Sequence, residues 1–451
     1  MKRLLLEKLI TWKNQSQRKP ILLDGARQTG KSFLLEQLFG EHFEQVIRLD
    51  FLEQPALANL FEGSLNPQDI LDNIELELNV SIDRSKALII FDEIGECQSA
   101  INSLKFFSEQ CADMYICASG SNIGLLGSFP VGKVELLELY PFTFEEFLWA
   151  SNQAPLIKAF EQIKMTQVAH DKLFSLLLDY YYVGGMPEAV KAWFETENSL
   201  GLLERTKKVN QVHSSLIACY ERDFGKYSDK ISAQHIQAVF NNIPIQLSRN
   251  IDDSVKRFKF KDVIQKKTRY QELAGPINWL DKCKLVSKCQ PIDCQPTSPL
   301  PALAKENIFK LFLFDIGLLG NILGLSYKEH RDQGFNYKGY IAENFVQNEL
   351  IAKYGSPTYS WEYARSEIEF LFKHDNGAIF PIEVKSGKRT RAKSLDVYVK
   401  RYQPEKTIKL IGSRGSLDDQ KALVLPLYYA CKIELFVKRI DLDKISKHIE
   451  K

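Results

Sequence analysis

An α/β architecture built on a parallel sheet is the fold class the sequence predicts, on three observations. Between residues 20 and 140, short β-rich apolar runs alternate with helical stretches; the first run opens into a glycine-bearing turn, and a later one ends in two carboxylates. The runs fall at 20–24, 45–50, 87–91 and 114–118. At about 150 residues per domain, the 451-residue, 51.8 kDa chain has room for roughly three domains. Apolar residues at 45% and charged ones at 26% give each domain a core and exclude wholesale disorder. With 59 basic and 57 acidic residues the net charge is +2, so only local clustering of cations could argue for a nucleic-acid partner.

The remaining elements follow in chain order. The opening MKRLLLEKLITWK reads as an amphipathic helix, because Glu7 and Lys8 interrupt it before an apolar stretch of signal-peptide length. Residues 141–230 run through PFTFEEFLWA, a Leu- and Tyr-rich stretch and VNQVHSSLIACY, a mainly helical region expected as a lid and broken at Gly184 and Gly185. Residues 231–300 predict a helix, a basic segment, a helix into WLDKCKLV and short strands, a winged-helix-like unit. The three prolines of 295–307 mark a linker or crossing loop. Beyond it, a helix near 339–354 and strands at 359–363, 367–372 and 379–384 predict a separate C-terminal α/β domain. The expected domains are therefore 1–140, 141–230, 231–300 and 301–451. Of the eight cysteines, Cys283, Cys289 and Cys294 lie closest together but lack C-x-x-C spacing, so all are read as reduced thiols rather than zinc ligands. No apolar run approaches the roughly 18 residues that cross a bilayer. A cytosolic protein without a membrane partner is the expectation.

Gly25, Ala26, Arg27, Gln28, Thr29, Gly30, Lys31 and Ser32 match G-x-x-x-x-G-K-[ST], with a strand before and the helical KSFLLEQLF after. The glycines let the loop curl so that backbone N–H groups face phosphate, and the helix N-terminus adds its dipole. Lys31 would reach the β- and γ-phosphates of ATP, and Ser32 would hold magnesium. In ALIIFDEIG the strand ends with Asp92 and Glu93, at the carboxyl edge where ligands of parallel sheets bind. Asp92 would support the magnesium and Glu93 would polarise the attacking water. The strand MYICASGSN ends in Ser119 and Ser121; either would sense the γ-phosphate, and Ser-Gly-Ser is also ordinary turn chemistry. No cation is assigned to transition-state charge, since Arg27 lies in the loop and Lys133 in VGKVELLELYPF.

In order and spacing, GARQTGKS, IIFDEIG, ASGS and LYPFTFEEFL resemble the AAA-type ATPases of bacteria and archaea whose C-terminal portion is the domain of unknown function 4143. The resemblance covers nearly the whole chain. It implies an ASCE-class P-loop core, a winged-helix-like middle and a C-terminal domain resembling restriction endonucleases. Where relatives have Gly-Arg, this chain has Gly132 and Lys133, and a lysine cannot fork onto phosphate oxygens.

The C-terminal domain carries a second constellation. The helix GYIAENFVQNELIAKYG holds Glu343 and Glu349; in SEIEFLF, Glu367 and Glu369 share one strand face; in PIEVKSG, Glu383 and Lys385 do. This resembles the PD-(D/E)xK nuclease pattern, with Glu369, Glu383 and Lys385 as the core and Glu343 added from the helix to hold a metal while the lysine orients water. Nucleases of that pattern place Asp where Glu369 stands. Alternating Glu and Lys also suits a solvated strand face or a binding scaffold without chemistry. Basic runs follow the cluster (Lys385, Lys388, Arg389, Arg391, Lys393, Lys400 and Arg401 against Asp396) and precede it (Lys256 to Arg269 against Asp262). They read equally as phosphate-backbone contacts on DNA or RNA and as solvated or docking faces.

The functional expectation is magnesium-dependent ATP binding and hydrolysis driving a conformational switch, on nucleic acid. The alternatives are an ATP-gated metal-dependent nuclease and a slow nucleotide-dependent switch that binds a protein partner. A small-molecule kinase fits poorly, because no acceptor site is apparent.

Overall fold

The four apolar runs of the first third pair as parallel strands; 20–24, 87–91 and 114–118 are buried on both faces and need helices above and below them, while 45–50, at the sheet edge, buries one face. The computed structural model describes residues 1–121, 123–125, 129–195, 200–225, 230–249, 257–332, 338–387, 393–417, 419 and 421–438. It divides into two units, Met1–Phe142 with Lys282–Leu285, and Thr143–Asp281 with Val286–Lys451.

In the first unit the order is α1 (Leu5–Lys13), β1 (Ile21–Asp24), α2 (Lys31–Phe33, prolonged by a wider turn at Leu34–Phe39), β2 (Gln45–Asp50), α3 (Pro67–Leu78), β3 (Ala87–Asp92), α4 (Gln98–Gln110), β4 (Tyr115–Gly120) and β5 (Glu135–Glu138). The strands lie in the order β2-β3-β4-β1-β5, all parallel. Inserting β4 between β1 and β3 brings three carboxyl ends together, with Asp24 opposite Gly120 and Asp50 opposite Asp92. Alternating side chains feed two cores. Leu22, Ile89 and Phe91 pack with Ile70 and Ile74 of α3 and Leu104 and Phe107 of α4. Leu23, Leu88 and Ile90 pack on the other face with Leu34, Leu35 and α1's Leu9 and Trp12. Leu9 and Trp12 sit three apart on one helical face, as the amphipathic reading expects. Burying each such side chain contributes about 1.5–3 kcal/mol, so the sheet is a rigid base for its loops.

The second unit begins with α5 (Phe144–Ala150), started by a capping box between Thr143 and Glu146. It continues through α6 (Ala154–Glu161), α7 (Gln167–Val183), α8 (Pro187–Phe194), α9 (Leu202–Phe224), α10 (Lys230–Arg249), α11 (Tyr270–Lys282), β6 (Val286–Ile292), β7 (Lys310–Leu313), α12 (Ile316–Ile322), α13 (Tyr327–Arg331), α14 (Lys338–Tyr354), β8 (Thr358–Tyr363), β9 (Ser366–Lys373), β10 (Ile379–Lys385), α15 (Lys393–Tyr402), β11 (Thr407–Ile411) and β12 (Ala422–Pro426). The mixed sheet runs β12-β11-β10-β9-β8-β6-β7. The break after α7 has a steric cause: Gly184 adopts φ 71°, ψ −167°, and a Cβ there would lie 2.3 Å from Asp315 Oδ1.

Residues 231–300, expected as a winged-helix-like unit, supply α10, α11 and β6. Strand β6 pairs with β8 and β7 in the large sheet rather than within a small sheet of its own. Among the described residues no helix is long and apolar enough to cross a membrane.

Candidate nucleotide site and carboxylate–lysine cluster

The loop between β1 and α2 is shaped by close packing and by two left-handed residues. A Cβ on Gly25 would lie 2.3 Å from the Leu139 carbonyl oxygen, so only glycine lets the chain pass there. Gln28 at φ 63° and Gly30 at φ 89° turn the backbone back on itself before the helix starts at Lys31. The Lys31 ammonium, 6% exposed, donates to the carbonyls of Gly25 and Ala26 at 2.9 Å each, and so stands inside the curl of the loop. Burial lowers its pKa, while Glu93, Asp24 and Asp92 oppose the shift. Thr29 Oγ1 closes the turn on Ala26 O at 2.8 Å. Ser32 and Arg27 are half-buried and Gln28 is exposed. Arg3, which belongs to no phosphate motif, braces the loop with its guanidinium. It donates to Thr29 O at 3.2 Å and Tyr140 O at 2.5 Å, and lies 4.3 Å from the Phe142 ring centroid.

Asp92 ends β3 almost wholly buried, and each of its oxygens is engaged. Ser119 Oγ donates to Oδ1, while Arg48 of β2 donates to Oδ2 from Nε at 2.8 Å and lies 2.7 Å from it through Nη2. Arg48 also meets Asp50 at 2.6 Å and Glu36 at 3.5 Å. Glu93 follows in a left-handed conformation, φ 48°, and Ser121 Oγ donates to its Oε2 at 3.4 Å. The two serines thus divide, Ser119 with Asp92 and Ser121 with Glu93. Lys133 pairs with Glu109 at 2.7 Å on the surface. Asp24, at the base of the loop, has its carboxyl pushed up to about 6 by burial and by Glu138, against the pull of Lys284 and Lys31. Ser32 and Asp92 offer the hard oxygen donors that magnesium takes, so these residues fit the ion chemically.

In the second unit, antiparallel β9 and β10 place Glu369 beside Glu383 and Lys385. Lys385 Nζ lies 2.7 Å from Glu383 Oε1 and 3.6 Å from Glu369 Oε1, and the Val384 N–H donates to Glu369 Oε2 at 3.1 Å. Burial, then Glu369, pushes the Glu383 carboxyl up to about 7; Lys385 and Lys409 oppose that. Burial pulls the Lys385 ammonium down, but Glu369 and Glu383 outweigh it and hold the pKa above the usual lysine value.

Glu343 of α14 acts electrostatically on Lys385 and also meets a second lysine. It lies 3.7 Å from Lys310 Nζ of β7, a lysine that also pairs with Glu367. Two lysines therefore share out the four carboxylates, and among the described residues no three His, Cys, Asp or Glu side chains are grouped to hold a metal ion. Each carboxylate of the expected set Glu343, Glu369 and Glu383 lies within 3.7 Å of an ammonium, so an ion there would have to displace a lysine contact. Lys310 lies in an apolar strand, KLFL, outside any motif that could have flagged it. Glu349 belongs elsewhere: fully buried, it accepts the Phe144 N–H at 2.8 Å at the start of α5, and burial pushes its carboxyl up to about 8.

Of the basic runs, Lys388, Arg389, Arg391 and Lys256 lie outside the described residues. Arg257 donates to Glu362 at 3.1 Å, and the Arg401 guanidinium lies 4.0 Å from the Tyr363 ring centroid. Each of these two cations thus has a partner within the unit. Lys393, Lys400 and Arg401 are exposed.

A parallel sheet in this strand order, with a curled lysine loop after β1, an Asp-Glu pair after β3 and a serine of β4 bonded to that Asp, defines a P-loop nucleotide-binding protein. Family models match parts of the chain: residues 17–148 match the AAA domain, and the C-terminal part matches a domain of unknown function. That C-terminal match is to DUF4143 over residues 338–429, and a second domain of unknown function, DUF8612, spans 175–329. The latter runs across the expected boundary at 230 and 231. No curated protein matches the sequence.

Three solved structures overlap it in part. PCH-2 of C. elegans is 12% identical with a TM-score of 0.27, covering 46% of this chain and 65% of its own. DnaA from Aquifex aeolicus, bound to AMPPCP, is 13% identical with a TM-score of 0.28, covering 62% and 86%. Drosophila ORC bound to DNA is 11% identical with a TM-score of 0.27, covering 71% and 84%. The chain thus spans about two thirds of the nematode protein's length, and superpositions this partial carry no functional argument.

Proposed function

We propose that this protein is a cytosolic, magnesium-dependent ATPase in which hydrolysis drives a conformational switch acting on nucleic acid. The observation that carries the reading is the Lys31 ammonium, held inside the loop by the Gly25 and Ala26 carbonyls on the sheet edge that bears Asp92 and Glu93. Lys31 would exchange those carbonyls for phosphate oxygens, a charge-assisted contact stronger than the neutral one it replaces. The N–H groups of 25–30 would wrap the phosphates, and Ser32 and Asp92 would hold magnesium, which supplies charge neutralisation when bound. Glu93 would orient the attacking water, and Ser119, tied to Asp92, would register the γ-phosphate. The nucleic-acid part is supported by the exposed cations Lys393, Lys400 and Arg401. Glu93→Gln is expected to keep ATP binding and to lower turnover about a hundredfold or more. Wild-type turnover in that variant would remove the assigned role.

A second reading, an ATP-gated metal-dependent nuclease, is favoured by the convergence of Glu369, Glu383 and Lys385. It requires the lysines to release carboxylates to an ion. Plasmid, single-stranded DNA and RNA are incubated with magnesium or manganese beside a Glu383→Ala control; cleavage by wild type alone supports it, and identical traces reject it. A third reading is a slow switch that binds a protein partner, in which nucleotide changes protease sensitivity far more than turnover would suggest. Product release limited by that conformational step would then set the rate.

A further inference from the structure

We propose that Arg48 is a built-in counter-ion of the magnesium position, competing with a divalent cation for the Asp92 carboxylate. The inference rests on the nucleotide-site reading above and adds a residue that no phosphate motif contains.

Asp92 is 1% exposed, and a buried carboxylate needs a compensating charge. Arg48 supplies it from the neighbouring strand. In register Arg48 lies opposite Ile90, two residues short of Asp92, so its long side chain runs along β2 to the carboxyl edge. There both Nε and Nη2 address a single oxygen, Oδ2, while Ser119 occupies Oδ1. The guanidinium is also held by Asp50 and by Glu36. Glu36 lies four residues, about one helical turn, beyond Ser32 in the helical stretch that follows the loop, so Arg48 reaches toward the face that would present the other magnesium ligand. Three carboxylates around one guanidinium leave the group net negative, which favours adding a cation. The oxygen such a cation needs already carries two N–H contacts, however. Entry of the divalent ion therefore costs the Arg48–Asp92 pair, and Asp50 and Glu36 are placed to keep the displaced guanidinium. Two cations cannot share Oδ2 at close range without repulsion.

The test is manganese(II) binding, followed by electron paramagnetic resonance in the absence of nucleotide, on the full chain and on Arg48→Gln and Arg48→Lys. Losing the charge in Arg48→Gln is expected to tighten manganese binding roughly tenfold or more. Arg48→Lys keeps the charge but not the fork, and is expected to fall between the two. ATP binding measured in EDTA is expected to stay within about threefold of wild type for both variants, which also shows that they fold. Manganese affinity unchanged or weakened in both variants overturns the counter-ion role. Failure of the wild type itself to bind ATP, with or without metal, would instead overturn the nucleotide-site reading.

Discussion

Asp24 carries a carboxyl at the last position of β1, beneath the loop that would grip phosphate, and burial lets it hold its proton to a higher pH than usual. Its pKa rises from 3.8 to about 6, so the folded chain holds this proton more tightly than the unfolded one does. The advantage is complete below about pH 4 and is lost as the pH climbs through about 6. Asp24→Asn is therefore expected to raise the free energy of unfolding in denaturant increasingly over that window and by a constant amount above it, at most about 3 kcal/mol. An equal gain at pH 4 and pH 7 would contradict it. At this scale the sequence was legible wherever the chemistry lies in adjacent residues, as in Gly25 to Ser32 or Asp92 and Glu93. Arg48, Arg3 and Lys310 were not, because each reaches its partner across strands or from a distant part of the chain. No local spacing encodes a contact between residues 48 and 92.

Elements were legible where the apolar pattern and the stop signals agree. The buried strands of the first sheet, α1, and α14 with β8, β9 and β10 lie where their runs predict. The double glycine marks the end of α7, and the physical reason is the Gly-only backbone of Gly184 pressed against Asp315, whose Oδ2 accepts the Gly185 N–H at 2.7 Å. Gly184→Ala adds both backbone strain and a clash, so a loss of about 3 kcal/mol or more is expected in denaturant unfolding. A change below about 0.5 kcal/mol would show that the turn can relax. Strand β6 shows where legibility ends. Its residues predict a strand, but its partners β8 and β7 lie elsewhere in sequence, and pairing at that separation leaves no trace in a short window. The same limit applies to the carboxylates of β9 and β10. Alternation gave their face, but not that lysines would divide them.

At the scale of the molecule, each unit carries its own sheet and its own charged cluster, and the two clusters differ in kind. The first gathers loop N–H groups, Lys31, Ser32 and a carboxylate pair at one sheet edge, the arrangement that a triphosphate with its metal needs. In the second, two ammonium groups stand among four carboxylates, and each carboxylate has one of them within 3.7 Å. The account therefore stands on the first. Calorimetric titration of ATP with magnesium into the full chain and into Lys31→Ala tests it most directly. One ATP bound per wild-type chain, with affinity lost by about a hundredfold or more in the variant, is the predicted result. No binding by the folded wild type, or equal binding by both proteins, would contradict it.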